Sequence, residues 1–156
     1  MPFFSFLVFL QGNDLSTFVQ NDIMNAKTIR WKQRFQYFEK TTDRLKEGAA
    51  ISNPDVFQKA GLIQIFEISF ELAWKIMKDY LEAEGFLEIK SPRDAIKQAF
   101  NIELIAQGHV WLEALENRNL SVHTYNEALA NELVNNIKNS YLPLLLELKN
   151  KLSQKT

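Results

Sequence analysis

From about Ala26 to Glu47 the apolar side chains Ile29, Trp31, Phe35, Phe38 and Leu45 recur roughly three or four residues apart, the spacing of one helical face. Gly48 reads as the stop. Asn53-Pro54-Asp55 then reads as an N-cap, a proline at the first helical position and an acid in the first turn. The helix so opened runs to about Glu84, where Gly85 can take a left-handed cap. It is apolar on nearly every side, through Phe57, Leu62, Ile63, Phe66, Phe70, Ile76, Met77 and Leu81. That pattern predicts burial on more than one side, in the middle of a bundle or at a subunit interface. Gly61 inside it predicts a close helix approach rather than a break.

Ser91-Pro92-Arg93-Asp94 opens a further helix, with Ser91 as cap, Pro92 in the first turn and Asp94 closing a capping-box-like contact. Ala95, Ile96, Ala99, Phe100, Ile102 and Ile105 form its apolar face, and Gly108 is the expected end. Another helix is predicted from near His109 through Trp111, Leu112 and Leu115. Leu129, Leu133, Val134 and Ile137 mark a last long helix, completed by Leu144 to Leu152, with Pro143 inside the run expected to kink or restart it. No stretch alternates as a strand does. The expected fold is all-α, an antiparallel four- to five-helix bundle.

The apolar decamer at residues 1–10 is too short for a bilayer, which takes about 20 residues, and lacks the basic start and cleavage site of a secretory leader. Residues 1–23 are therefore expected to be an extension outside the fold, and residues 24–156 a single helical-bundle domain.

Composition changes the picture in two ways. The 156 residues contain no cysteine, which excludes disulfides and thiolate metal sites and fits a reducing cytoplasm. The net charge of −1 gives no whole-molecule field for nucleic acid, so any RNA or phosphate contact must be local. Charge is nevertheless segregated. Residues 25–47 carry Lys27, Arg30, Lys32, Arg34, Lys40, Arg44 and Lys46 against three acids, a balance of +4, whereas residues 54–84 stand at −3. Such runs read as solvated helix faces or as a basic helix framing an anion site. Glu67 and Glu71 lie one turn apart, and Glu71 can pair with Lys75; they are ion-paired structural groups or orienters of a cationic site.

The two histidines lie fourteen residues apart and have no metal-ligand spacing. Phosphate loops, dinucleotide fingerprints and nucleophile elbows are absent from the sequence. What remains is the stretch 116–126, with Arg118, His123 and Tyr125. Five residues on a helix turn Arg118 and His123 about 140° apart, so they converge only if the helix is interrupted between them. Asn119 or Ser121 could be the interrupting N-cap. His123 would then lie in a first turn, where backbone N–H groups favour an anion, and Arg118 would add a planar fork for phosphate oxygens. Such a pair suits a phosphodiester: a histidine to move the 2′-hydroxyl or leaving-group proton and an arginine to stabilise the phosphorane. One histidine per chain favours a dimer with two copies facing one cleft. Spacing alone leaves room for a plainer reading, a capped helix start with a polar core histidine.

The order Arg118-x4-His123-x-Tyr125, with Asn119 directly after the arginine, resembles the signature of the HEPN superfamily. In particular it is similar to the HepT-type proteins, also described as nucleotidyltransferase substrate-binding proteins. Phe66-Glu67, Phe70-Glu71, Trp74-Lys75, Lys78-Asp79-Tyr80-Leu81, Ser91-Pro92-Arg93 and Trp111 follow the family's order, so the likeness covers roughly residues 25–155. It implies a cytoplasmic helix-bundle homodimer with no cofactor, no metal and no membrane association. Its partner would be a small nucleotidyltransferase encoded nearby, with a heterotetramer as one possible assembly. It further implies a metal-independent ribonuclease of toxin type acting on RNA, with Arg118 and His123 catalytic and Asn119 supporting them. The partner would act as antitoxin by transferring adenylate to Tyr125. The competing expectation is a non-catalytic subunit that presents a substrate to the nucleotidyltransferase.

Overall fold

A computed structural model describes residues 15–120 and 125–156. The elements are α1 (Leu15–Ala49), α2 (Val56–Ala83), α3 (Pro92–Asn101), α4 (Gly108–Leu120), α5 (Glu127–Asn136), a π turn (Ile137–Tyr141) and α6 (Leu142–Ser153). The last three run on as one rod, so the described residues make five helical rods and no strand. No helix among them is long and apolar enough to cross a membrane.

The all-round apolar character of α2 is explained by its neighbours. Antiparallel α1 covers one side: Arg34 pairs with Asp79 late in α2, while Gly48 lies against Leu62 near its start. On other sides Phe70 packs on Trp111 of α4 (5.8 Å) and Phe66 stacks on Tyr141 of the C-terminal rod (5.4 Å). Phe66, Ala73, Ile76, Met77 and Leu81 have no exposed surface, as a central helix requires. The rod runs antiparallel to α1, tied by Lys149 to Asp43 (2.6 Å) and by Lys32 to the Thr156 carbonyl (3.1 Å). These contacts make the bundle in which Trp31, Phe35, Phe38 and Leu45 of the predicted stripe are buried.

Several local expectations change. α1 starts by Leu15 instead of Ala26, and residues 15–23 are all exposed. α1 ends at Ala49, one residue past the expected stop at Gly48, and an added Cβ on Gly48 would meet Leu62 at 3.1 Å, so the glycine also permits close packing. Conversely, nothing lies within 4 Å of a Cβ built on Gly61, so the close approach expected there is absent. The cap of α2 is Asp55, two residues later than expected: its carboxylate accepts the Gln58 N–H (2.8 Å) and the Gln58 side chain accepts its N–H in return (2.9 Å). That reciprocal box satisfies two otherwise orphaned donors, and Asn53 instead takes a left-handed turn (φ 52°) that asparagine tolerates. Gly85 does take the left-handed cap (φ 92°), with the Phe86 N–H reaching back to the Leu81 carbonyl (2.9 Å).

Ser91 caps α3 as expected, accepting the Asp94 N–H (3.1 Å). The helix ends at Asn101, however, and Gly108 begins α4 instead of closing α3. A Cβ on Gly108 would meet the Phe100 ring at 3.1 Å, so the glycine lets the α3–α4 hairpin close. Pro143 has no N–H for an ordinary helical bond. The disturbance expected of it takes the form of the π turn just before it, in which the Leu142 N–H bonds to the Ile137 carbonyl.

Candidate functional site

Arg118 sits in the last turn of α4, and its guanidinium reaches across to α2, where it donates to Glu71. Glu71 also accepts from the Trp74 indole N–H (2.9 Å) and pairs with Lys75 (2.8 Å). Burial pushes the Glu71 carboxyl up, but the hydrogen bonds from Lys75 and Trp74 and the Arg118 charge outweigh it and hold the group below its ordinary value. One turn earlier, Glu67 is raised by burial, with the Arg118 charge as a smaller opposing effect. The two carboxyls thus differ because Glu71 has donors and Glu67 does not gain enough from Arg118 to offset burial. Of the two roles left open for this pair, Glu71 takes both: it is ion-paired and it orients the candidate arginine.

Arg118, Glu67 and Glu71 line an open groove of about 470 Å3 with Tyr37 and Thr41 of α1 and Gln64, Ile68 and Leu72 of α2. Behind Arg118, the Asn117 amide donates to the Tyr141 hydroxyl, which in turn donates to Glu113 (2.9 Å). Burial and the bond to Glu113 push the Tyr141 phenol up to about 12, so it stays neutral. This bridge ties the last turn of α4 to the π turn, and so fixes the end of the helix that carries Arg118. Sequence reasoning missed it, because neither Asn117 nor Tyr141 stands out among polar residues on helical faces.

Asn119 follows in the exposed end of α4, with its side-chain oxygen 3.5 Å from an Arg118 guanidinium nitrogen. His123 lies outside the described residues. α4 runs past Asn119 to Leu120, and the next described helix, α5, is capped by Asn126; the expected cap at Ser121 lies outside the described residues. The Asn126 side chain accepts from the N–H groups of Ala128 (3.0 Å) and Leu129 (3.3 Å). Tyr125, 86% exposed, stands just before that cap. It lines a second groove of about 360 Å3 with Val56, Lys59, Ala60, Ile63, Glu127 and Ala130, none of which lines the Arg118 groove. Within one chain, then, Arg118 and Asn119 come together, while Tyr125 borders a different surface.

The family model described as nucleotidyltransferase substrate binding protein like matches residues 33–154. Among solved structures, a Thermus thermophilus protein is similar at 32% identity and a TM-score of 0.69, over 74% of this chain and 98% of that one. A Haemophilus influenzae protein shares the fold at 24% identity and a TM-score of 0.59, over 84% of this chain and 99% of that one; its structure is described as revealing the fold of a substrate binding domain of a nucleotidyltransferase. No curated protein sequence matches. With the match spanning most of the bundle, the chain belongs to the family of nucleotidyltransferase substrate-binding-like proteins.

Proposed function

We propose that the chain is the non-transferase half of a two-component nucleotidyltransferase system, and that it acts there as a metal-independent ribonuclease of toxin type silenced by adenylylation of Tyr125. The family supports the partnership with a nucleotidyltransferase. The observation that carries the ribonuclease reading is Arg118, held by Glu71 at the wall of an open groove in the last turn before the segment that bears His123. A guanidinium has five donors in a fork, more than one carboxylate can accept, so an arginine oriented by Glu71 can also take phosphate oxygens. In the proposed reaction the ribose 2′-oxygen attacks the neighbouring phosphorus and the bond to the 5′-oxygen breaks. His123 moves the proton, and Arg118 stabilises the phosphorane charge. In a homodimer the two copies would supply a histidine each, one as base and one as acid.

Silencing would transfer adenylate from the partner's ATP. The Tyr125 oxygen bonds to the α-phosphorus, pyrophosphate leaves and the phenol proton goes to solvent. Its high exposure suits a group that must enter another enzyme's active site. Because Tyr125 borders a different groove from Arg118 in its own chain, the adduct would act by occluding the segment between them or by reaching the site of the other protomer.

The second reading is a non-catalytic subunit that binds a substrate for the nucleotidyltransferase. The family description fits it more directly, and so does an arginine already engaged by a carboxylate. Incubating the purified protein, His123→Ala and Arg118→Ala with RNA separates the two. Cleavage by the first and not by the variants supports the ribonuclease. RNA left equally intact by all three removes it and leaves the binding subunit.

A further inference from the structure

One flank of α1 carries a line of exposed basic and aromatic side chains. Arg30, Tyr37 and Arg44 are spaced seven residues apart, so they form a nearly straight line about 20 Å long on the helix. All three are exposed, Tyr37 at 65%, and Lys40 flanks them. Tyr37 is also a wall of the Arg118 groove, which places this line along the groove's outer edge.

Among the described residues Lys40 and Arg44 form no hydrogen bond or ion pair, whereas Arg34 pairs with Asp79 and the Arg30 charge also acts on that carboxylate. Glu39 and Asp43 lie about 100° or more around the helix from the line, and Asp43 is paired with Lys149; Glu47, one turn after Arg44, lies about 60° from it. An exposed aromatic flanked by exposed cations matches what single-stranded nucleic acid offers: phosphates for the cations and a base face for the ring. Across the groove, Glu71 is offset by Arg118 and Lys75, so a strand would follow the α1 edge and approach Arg118 from there.

We infer that the Arg30–Tyr37–Arg44 flank of α1 is a binding track for single-stranded RNA, in which the arginines take phosphates and Tyr37 stacks a base. This rests on the ribonuclease reading for its purpose, but its test does not. The probe is a fluorescent 2′-O-methyl oligonucleotide of mixed sequence, which has no free 2′-hydroxyl and is not cut, titrated by anisotropy at several salt concentrations. The full chain is compared with the Arg30→Ala/Arg44→Ala double variant and with Tyr37→Ala, all surface changes whose folding is checked by circular dichroism.

Loss of two phosphate contacts lowers the slope of log affinity against log salt by about 1.4. Tyr37→Ala weakens binding by roughly tenfold or more and leaves that slope unchanged, because stacking releases no counterions. Wild-type affinity and slope in both variants overturn the track, whatever the cleavage activity of the protein. So does loss of nucleotidyltransferase binding with oligonucleotide binding intact, which would make the flank a protein interface. Binding through the track by a protein that cuts no RNA supports the track and refutes the ribonuclease reading.

Discussion

Glu71→Gln keeps the size of the side chain that holds Arg118 and removes its charge. Glutamine can still accept from the Trp74 indole, but the pairs with Lys75 and Arg118 lose their charge assistance. Hydrogen bonds to charged groups contribute about 1.5–3 kcal/mol when buried. Glu71 and Arg118 each keep 29% of their side-chain surface exposed, so solvent screening reduces the expected cost to about 1–2 kcal/mol. For a chain of this size that lowers Tm by about 3–6 °C.

The pH dependence gives the sharper test. The folded pKa of Glu71 lies below its ordinary 4.5, so its stabilisation is present above that value and is lost as pH falls through the folded pKa. The Tm gap between wild type and variant should be full at pH 7 and should close on acidification below about 4.5. A gap that is unchanged from pH 7 to acid, or absent at pH 7, would refute the assignment of Glu71 as the charged holder of Arg118. If the ribonuclease reading holds, the same variant also cuts RNA more slowly, by about ten- to a hundredfold, with KM less affected, because a misoriented group weakens the transition state more than ground-state binding.

Arg34→Met strands the Asp79 carboxylate, which is 4% exposed and already raised by burial against the pull of Arg34 and Arg30. It should cost about 3 kcal/mol at pH 7. Because the folded pKa is raised, the penalty should shrink as pH falls and Asp79 protonates, and Arg34→Met/Asp79→Leu should recover much of it; urea unfolding at two pH values measures both. Gly61→Ala should stabilise by about 0.5–1 kcal/mol, since its Cβ enters open space in a helix. Gly108→Ala should destabilise by about 1–3 kcal/mol through the Phe100 ring; equal Tm values for the two would contradict the hairpin packing. Tyr141→Phe should cost about 1 kcal/mol by leaving Asn117 and Glu113 without their shared hydroxyl, read as a Tm fall of about 2–4 °C.

The helical stripes were legible because burial follows period: Trp31, Phe35, Phe38 and Leu45 are all core. Ile29 is 49% exposed, because two residues before the buried Trp31 it lies about 160° around the helix from it, off the core face. Gly61 and Gly108 were misread because stop, spacer and passive residue differ only in what lies opposite, and periodicity does not encode that, whereas Gly85 takes its expected left-handed cap. The shift of the α2 cap from Asn53 to Asp55 came from the Gln58 side chain completing a second bond, a local detail that the proline obscured. At the site, Arg118 stood out by its motif, but the carboxylate that holds it lies 47 residues away. Only the packing of α4 across α2 selects Glu71 over Glu67. Tyr125 lies beyond the end of α4 and borders a different groove from Arg118, which the spacing of the motif does not encode.

The ribonuclease reading proposed above has Tyr125 as its switch. The direct test incubates the protein with its neighbouring nucleotidyltransferase, ATP and magnesium, then maps the added mass by residue and assays RNA cleavage before and after. The expected result is one adenylate on Tyr125 and loss of cleavage, with Tyr125→Phe remaining unmodified and active. RNA that is never cut, or an unmodified Tyr125 while the partner adenylylates a small molecule only in this protein's presence, would contradict it and establish the substrate-binding subunit.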